Sequence, residues 1–155
     1  MSFSVLLRSS SAWSALISAA YPEVRWVEPA TLERWMKEPS SVDLVLLDVR
    51  SPEEQATSQL PNARRVDAAR PNVSSLGIPS DSTVVVYCSV GLRSAAIVEE
   101  LETAGATNVF NLEGGIFDWA NQDRPMVRGS ETVNEVHPYN RFFGMLVRKD
   151  RRAAY

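Results

Sequence analysis

Apolar residues in this chain follow two rhythms. At 43–48 and 83–87 nearly every position is apolar or β-branched over the length of one strand, the pattern of strands covered on both faces. Elsewhere apolar positions recur at three and four: Leu32, Trp35 and Met36; Ile97, Val98 and Leu101; and Ile116, Phe117, Trp119 and Ala120. That spacing lays one apolar stripe along a helix. A short edge strand is expected at 25–27 and another strand at 108–112. Pro29 suits a first helical position, and Pro39 ends the helix between. Ser51 and Glu54 have capping-box spacing, so the strand at 43–48 feeds directly into a helix. Gly105 stops a helix expected over 95–104, and Gly114 and Gly115 turn the chain before the last one.

Strands alternating with helices imply parallel pairing through right-handed crossovers. The expected fold is therefore α/β, a three-layer α/β/α sandwich. Residues 62–80, rich in Pro, Ser and Asn, read as irregular. Residues 1–24 read as a helical extension, with Trp13, Leu16, Ile17 and Ala20 at docking-helix spacing. Residues 25–128 form the expected domain, followed by an aromatic and basic tail at 129–155. The tail reads as an aromatic segment pinned across the domain with a solvated basic end. A sharper reading makes it a docking surface for an acidic partner or a second subunit.

Composition narrows the function classes. The chain has 155 residues, a net charge of -3 and a single cysteine. One cysteine allows neither an intrachain disulfide framework nor a cysteine-rich zinc site. The mild acidity gives no reason to expect nucleic-acid binding, although residues 141–155 carry +4 and the remainder -7. No stretch approaches the roughly 20 apolar residues of a membrane span. A soluble, cytoplasmic protein is expected. The alternative is organelle targeting through the first twenty residues, which hold seven Ser, one Arg and no acid.

The candidate chemistry lies at Cys88. In a parallel sheet, ligands bind beyond the carboxyl ends of the strands, where helices begin with unpaired amides. Cys88 follows such a strand, and Ser89, Val90, Gly91, Leu92, Arg93 and Ser94 lead into a helix. A loop curling round the sulfur would aim backbone N–H groups and the helix N-terminus at the thiol, favouring a thiolate. Gly91 supplies the backbone freedom for the curl, and Arg93 adds positive charge.

Tyr87-Cys88-Ser89-Val90-Gly91-Leu92-Arg93-Ser94, followed by Gly105, Asn108, Leu112, Gly114, Gly115 and Trp119, resembles the second half of a rhodanese (sulfurtransferase) domain. Leu47-Asp48-Val49-Arg50-Ser51-Pro52-Glu53-Glu54 is similar to that family's first signature. The likeness covers about 25–128. It departs at Ser58-Gln59-Leu60-Pro61-Asn62-Ala63, where the family usually has Gly-His-Ile-Pro-Gly-Ala. The resemblance implies a central parallel sheet of five strands. It makes Cys88 and Arg93 catalytic, Ser89, Val90, Gly91, Leu92 and Ser94 substrate-binding, and Asp48 and Arg50 a supporting pair that helps set the loop.

Loop length separates two chemistries in this superfamily. Sulfurtransferases resemble Cys-x4-Arg, whereas related phosphatases and arsenate reductases carry a loop one residue longer. Cys88 to Arg93 is Cys-x4-Arg, and the position a phosphatase needs as Arg is Ser94. The resemblance thus implies sulfur transfer from a thiosulfate-like donor through a Cys88 persulfide to cyanide, a small thiol or a protein thiol, with no metal or organic cofactor. The alternatives are a non-catalytic rhodanese-like binding module and a phosphatase or arsenate reductase relative. His137, the only histidine, reads as a non-catalytic tail residue, and Gly114, Gly115 and Trp119 read as scaffold.

Overall fold

Thr83–Tyr87 is the strand around which the molecule is organised, and all five of its residues are buried. A computed structural model describes residues 10–38, 43–69 and 72–155, with the side chain of residue 73 excepted. In chain order its elements are α1 (Ser10–Ala20), β1 (Trp26–Val27), α2 (Pro29–Lys37), β2 (Leu44–Asp48), α3 (Pro52–Thr57), β3 (Arg64–Arg65), β4 (Thr83–Tyr87), α4 (Leu92–Thr103), β5 (Val109–Leu112), α5 (Gly115–Asn121), β6 (Met126–Arg128) and β7 (Glu131–Val133). The first five strands form one parallel sheet in the order β1-β5-β4-β2-β3, and β6 and β7 form a separate antiparallel pair.

The expected α/β/α layering follows from the two-residue period of a strand. From β4, Val85 and Tyr87 enter one apolar cluster with Leu32, Phe117 and Trp119, while Val84 and Val86 enter another with Ile97, Val98 and Leu101. Leu46 and Leu47 of β2 divide between the same two clusters. Both faces of the sheet are therefore covered. Burial of each such side chain is worth about 1.5–3 kcal/mol, which holds the helices on the sheet.

Local chemistry sets several boundaries as expected. Pro29 occupies the start of α2, and Ser51 and Glu54 close a reciprocal capping box on α3. Other boundaries differ. Helix α4 begins at Leu92, three residues before the expected start at 95, so Arg93 and Ser94 lie in its first turn instead of a loop. Residues 62–80 contain the fifth strand, β3, and a 3-10 turn at Val73–Leu76. Asn62, where the resembling family has glycine, takes a left-handed φ of 63°. On α1, Ile17 is buried but Leu16 and Ala20 are exposed, so the docking stripe is narrower than its spacing predicts. Pro39 lies outside the described residues, as do the first nine of the serine-rich segment.

Residues 129–155 are more tightly integrated than a solvated end. Val136, Leu146 and Val147 are buried in the cluster that contains Trp119. Asn121 donates to the Leu146 carbonyl at 2.8 Å and accepts from the Arg148 amide at 2.9 Å. Arg148 and Arg151 both pair with Asp123, and Arg152 donates to the Val147 carbonyl. At the basic end Arg148 and Lys149 stay exposed, and Arg148, Arg151 and Arg152 are at the same time tied to acceptors. Among the described residues, no helix is long and apolar enough to cross a membrane.

Candidate active site

Strand β4 delivers Cys88 to the carboxyl edge of the sheet, and α4 starts four residues later. The Gly91 amide donates to Cys88 Sγ at 3.1 Å. This contact depends on Gly91 adopting φ 112° and ψ -2°, a conformation that L side chains disfavour. A Cβ there would also lie 3.2 Å from the Trp26 ring. Asn111, fully buried on β5, donates to the Gly91 carbonyl at 2.9 Å and holds the bend from the opposite side.

Ser94 gives the sulfur a second polar neighbour. Its Oγ lies 3.3 Å from Cys88 Sγ and 2.6 Å from Asn111 Oδ1. A hydroxyl has one hydrogen to donate. Asn111 must use its amide hydrogens on Gly91, so its Oδ1 is the acceptor that competes with the sulfur for that hydrogen. A Cys88 thiol can donate to Ser94 while Ser94 donates to Asn111; a thiolate can take the Ser94 hydrogen instead. A thiolate therefore competes with Asn111 for one hydrogen, and the hydrogen bond it need not share is the one from the Gly91 amide.

The carbonyls of the same loop are fixed elsewhere. Amides at the start of α5 reach them, with Ile116 donating to Cys88 O at 3.0 Å and Phe117 to Ser89 O at 3.2 Å. Gly115, at φ 58°, lets that helix approach, since a Cβ there would meet Ser89 O at 2.3 Å. Gly115 is therefore more than the turn residue its sequence context suggests.

Arg93 and Ser89 converge on Glu54. Arg93 makes two 2.8 Å bonds to the Glu54 carboxylate and a third, at 2.7 Å, to Ser89 Oγ, which in turn donates to Glu54 at 2.9 Å. Burial pushes the Glu54 carboxyl up, but the Arg93 and Ser51 hydrogen bonds outweigh it and hold the pKa at about 2. Burial likewise opposes the Arg93 charge, and Glu54 with Cys88 more than compensates, holding Arg93 protonated. The positive charge expected at the end of the loop is thus already paired. Glu54, whose sequence spacing marks it only as a helix cap, is its counter-ion.

Cys88 is only 1% exposed. Cys88 nevertheless lines a cavity of about 80 Å³, whose wall includes Ser89, Val90, Leu92 and Arg93. Tyr139 and Phe143 complete that wall from the tail. The Arg93 guanidinium carbon sits 4.7 Å from the Tyr139 ring centroid. Tyr139, Phe143 and Asn111 join the loop without being marked by the sequence pattern around Cys88. Asn111 carried a signal, being a polar position within an otherwise apolar strand, whereas nothing local ties the tail to the loop.

Asp48 and Arg50 lie apart from this constellation. They form a fully buried, doubly hydrogen-bonded ion pair, with Arg50 also donating to the Ser58 carbonyl at 2.6 Å. The Tyr87 hydroxyl donates to Asp48 at 2.7 Å and accepts from the Leu60 amide. None of the described hydrogen bonds of the Asp48 and Arg50 side chains reaches residues 88–94. The pair reaches the loop indirectly, through Tyr87, the residue preceding Cys88, and through the charge of Glu54, which favours the Arg50 cation.

Comparison with known proteins agrees with this architecture. The family model described as Rhodanese-like domain matches residues 28–122. A sulfurtransferase of Allochromatium vinosum is 36% identical over 85 residues, covering 55% of this chain and 79% of that protein. A probable adenylyltransferase/sulfurtransferase, MoeZ, of Mycobacterium tuberculosis is 33% identical over 101 residues; the match covers 64% of this chain and 25% of that longer protein. The crystal structure of a rhodanese-related protein from Thermoplasma volcanium superposes with a TM-score of 0.59 at 30% identity, covering 67% of this chain and 98% of that one. The five-stranded parallel sheet, the helices on both its faces and the match over 28–122 lead to one conclusion: the chain belongs to the rhodanese-like domain family.

Proposed function

We propose that this protein is a sulfurtransferase that carries a sulfane sulfur on Cys88. The observation that carries the reading is the Gly91 amide directed at the Cys88 sulfur at the N-terminus of α4. A thiolate there gains a hydrogen bond and the positive end of the helix dipole. With thiosulfate as donor, the thiolate attacks the outer sulfur, the S–S bond of thiosulfate breaks, sulfite leaves with the electron pair, and Cys88 becomes a persulfide. An acceptor nucleophile then attacks the outer sulfur of the persulfide and Cys88 departs as thiolate, a double displacement.

In this reading Cys88 is the nucleophile. Gly91 and Ser94 contact its sulfur, and Ser89, Val90 and Leu92 shape the chamber that receives the transferred atom. Arg93 places a guanidinium at the chamber wall to orient the donor, held in position by Glu54. Asp48 and Arg50 support the strand end through Tyr87. The working unit is residues 25–128, flanked by 1–24 and 129–155. Cys88 is the single cysteine of the 155 residues, so the acceptor is a nucleophile outside them, such as cyanide, a small thiol or a protein thiol.

Intact-mass measurement tests the reading. After incubation with thiosulfate, and separately with inorganic polysulfide, the wild type is expected to gain one sulfur, about 32 Da, that cyanide removes. The Cys88→Ser variant is expected to gain nothing. A wild type unchanged by both donors, or a gain that survives in Cys88→Ser, overturns it.

A further inference from the structure

Two of the seven residues that line the Cys88 cavity, Tyr139 and Phe143, lie outside the family match at 28–122. Tyr139 and Phe143 stand on its wall beside Val90 and Leu92. Their rings meet edge to face, with centroids 5.6 Å apart. Phe143 is braced in turn by Trp13 of α1, at 5.1 Å, and by Phe142, at 5.3 Å. Both segments flanking the family domain thus contribute to one aromatic assembly over one thiol.

Tyr139 is held there against backbone preference. Its φ is 68°, and a non-glycine residue in that region carries strain that its surroundings must offset. The surroundings are visible. The Tyr139 amide donates to His137 Nδ1 at 2.9 Å, and the ring lies over Arg93. Tyr139 is nevertheless 46% exposed, so core packing does not explain the placement. Leu92 and Phe142, 43% and 44% exposed, extend the apolar rim outward.

The charge balance at the mouth says what such a wall can select. Arg93, the cation on the wall, has its charge satisfied by Glu54. Beyond Arg93, which orients the donor, the wall carries no further basic side chain, and an apolar substituent meets two aromatic rings and two aliphatic side chains. Resting on the proposed persulfide chemistry, we infer that Tyr139 and Phe143 are specificity-determining residues that favour, as sulfur acceptor, a thiol bearing an apolar or aromatic group next to its sulfur. The acceptor thiolate attacks the outer sulfur of the Cys88 persulfide. The S–S bond to Cys88 breaks, Cys88 leaves as thiolate with the electron pair, and the acceptor departs as an organic hydropersulfide. One S–S bond is exchanged for another, so no outside oxidant or reductant enters.

The test loads the full chain with polysulfide, verifies the added sulfur by intact mass, and measures discharge to benzyl mercaptan and to cyanide. The quantity read is the ratio of the two kcat/KM values. Tyr139→Ala and Phe143→Leu are each expected to lower that ratio about tenfold, the effect of losing one aromatic contact made in the transition state. Tyr139→Phe, which keeps the ring, is expected to hold the ratio within twofold of wild type. A chain that never acquires sulfur overturns the persulfide reading and this inference with it. A chain that acquires sulfur but discharges with an unchanged ratio in Tyr139→Ala and Phe143→Leu overturns the inference alone, as does a ratio that falls equally in Tyr139→Phe. Circular dichroism on each variant separates a lost contact from a lost fold, and the exposed position of Tyr139 makes its variants the decisive ones.

Discussion

Glu54 serves two helices with one carboxylate. Its Oε2 accepts the Ser51 amide at 2.9 Å, closing the cap of α3, and Arg93 in the first turn of α4 at 2.8 Å. The N-terminal turn of one helix is thereby fastened to that of the next across the carboxyl edge of the sheet. Because Ser89 also joins Glu54, the loop between β4 and α4 is anchored at both ends, and its middle is left to bend round Cys88.

Removing that charge should weaken the fold in a pH-dependent way. Burial raises the Glu54 pKa but its hydrogen bonds to Arg93 and Ser51 prevail, so the carboxyl titrates near 2 in the folded chain instead of near its ordinary 4.5. The unfolded chain therefore takes up the proton first as pH falls. The stabilisation is complete above about pH 4.5, declines between 4.5 and 2, and is absent below 2. Glu54→Gln should lower unfolding free energy at pH 7 by on the order of 2–3 kcal/mol. Urea titrations at successive pH values should show the difference from wild type closing through that window; a difference that persists unchanged at pH 2 contradicts the assignment.

The approach of α5 to the loop makes a sharp prediction at Gly115. Gly115→Ala puts a methyl 2.3 Å from Ser89 O and 2.6 Å from Cys88 O, both backbone atoms with little room to move. Gly105 also has a positive φ, of 105°, but a Cβ there meets nothing within 4 Å. Gly105→Ala therefore reports backbone strain alone, on the order of 1 kcal/mol. Gly115→Ala should lose on the order of 2–4 kcal/mol and form the Cys88 persulfide at least tenfold more slowly. Thermal unfolding and time-resolved intact mass on the two variants measure the difference; equal behaviour would show that loop position does not depend on this contact.

Asp48 and Arg50 should matter to stability far more than to chemistry. Asp48→Ala leaves a buried guanidinium without its counter-charge and the Tyr87 hydroxyl without its acceptor, a loss of about 3–5 kcal/mol. Replacing both partners, as Asp48→Leu with Arg50→Met, should recover part of that loss, because no lone charge then remains buried. Guanidinium unfolding measures the pair. The persulfide rate per folded molecule should fall less than threefold in the double variant, whereas a pair acting directly on the reacting sulfur would lower it by orders of magnitude.

The elements that could be read from the chain are those whose causes are local. The apolar run of β4, the stripe of α5, the Ser51 and Glu54 box and the Cys88-x4-Arg93 spacing each arise from neighbours within one or two turns. The start of α4 is not marked by apolar periodicity, which becomes visible only further on, because it is set by Gly91 bending toward Cys88 and accepting the Ala95 amide. Strand β3 is two exposed arginines, recognisable only by pairing with β2.

The nucleophile and its loop are thus legible along the chain, because a strand end, a glycine and a helix start are properties of consecutive residues. The partners of that loop are not. Glu54 meets Arg93 across 39 positions, Asn111 meets Gly91 across 20, and Tyr139 reaches Arg93 from beyond the family domain. Those contacts exist once the parallel sheet has ordered its strands and the apolar tail has found its side of the core, since charge pairing and ring stacking act through distances that folding alone sets.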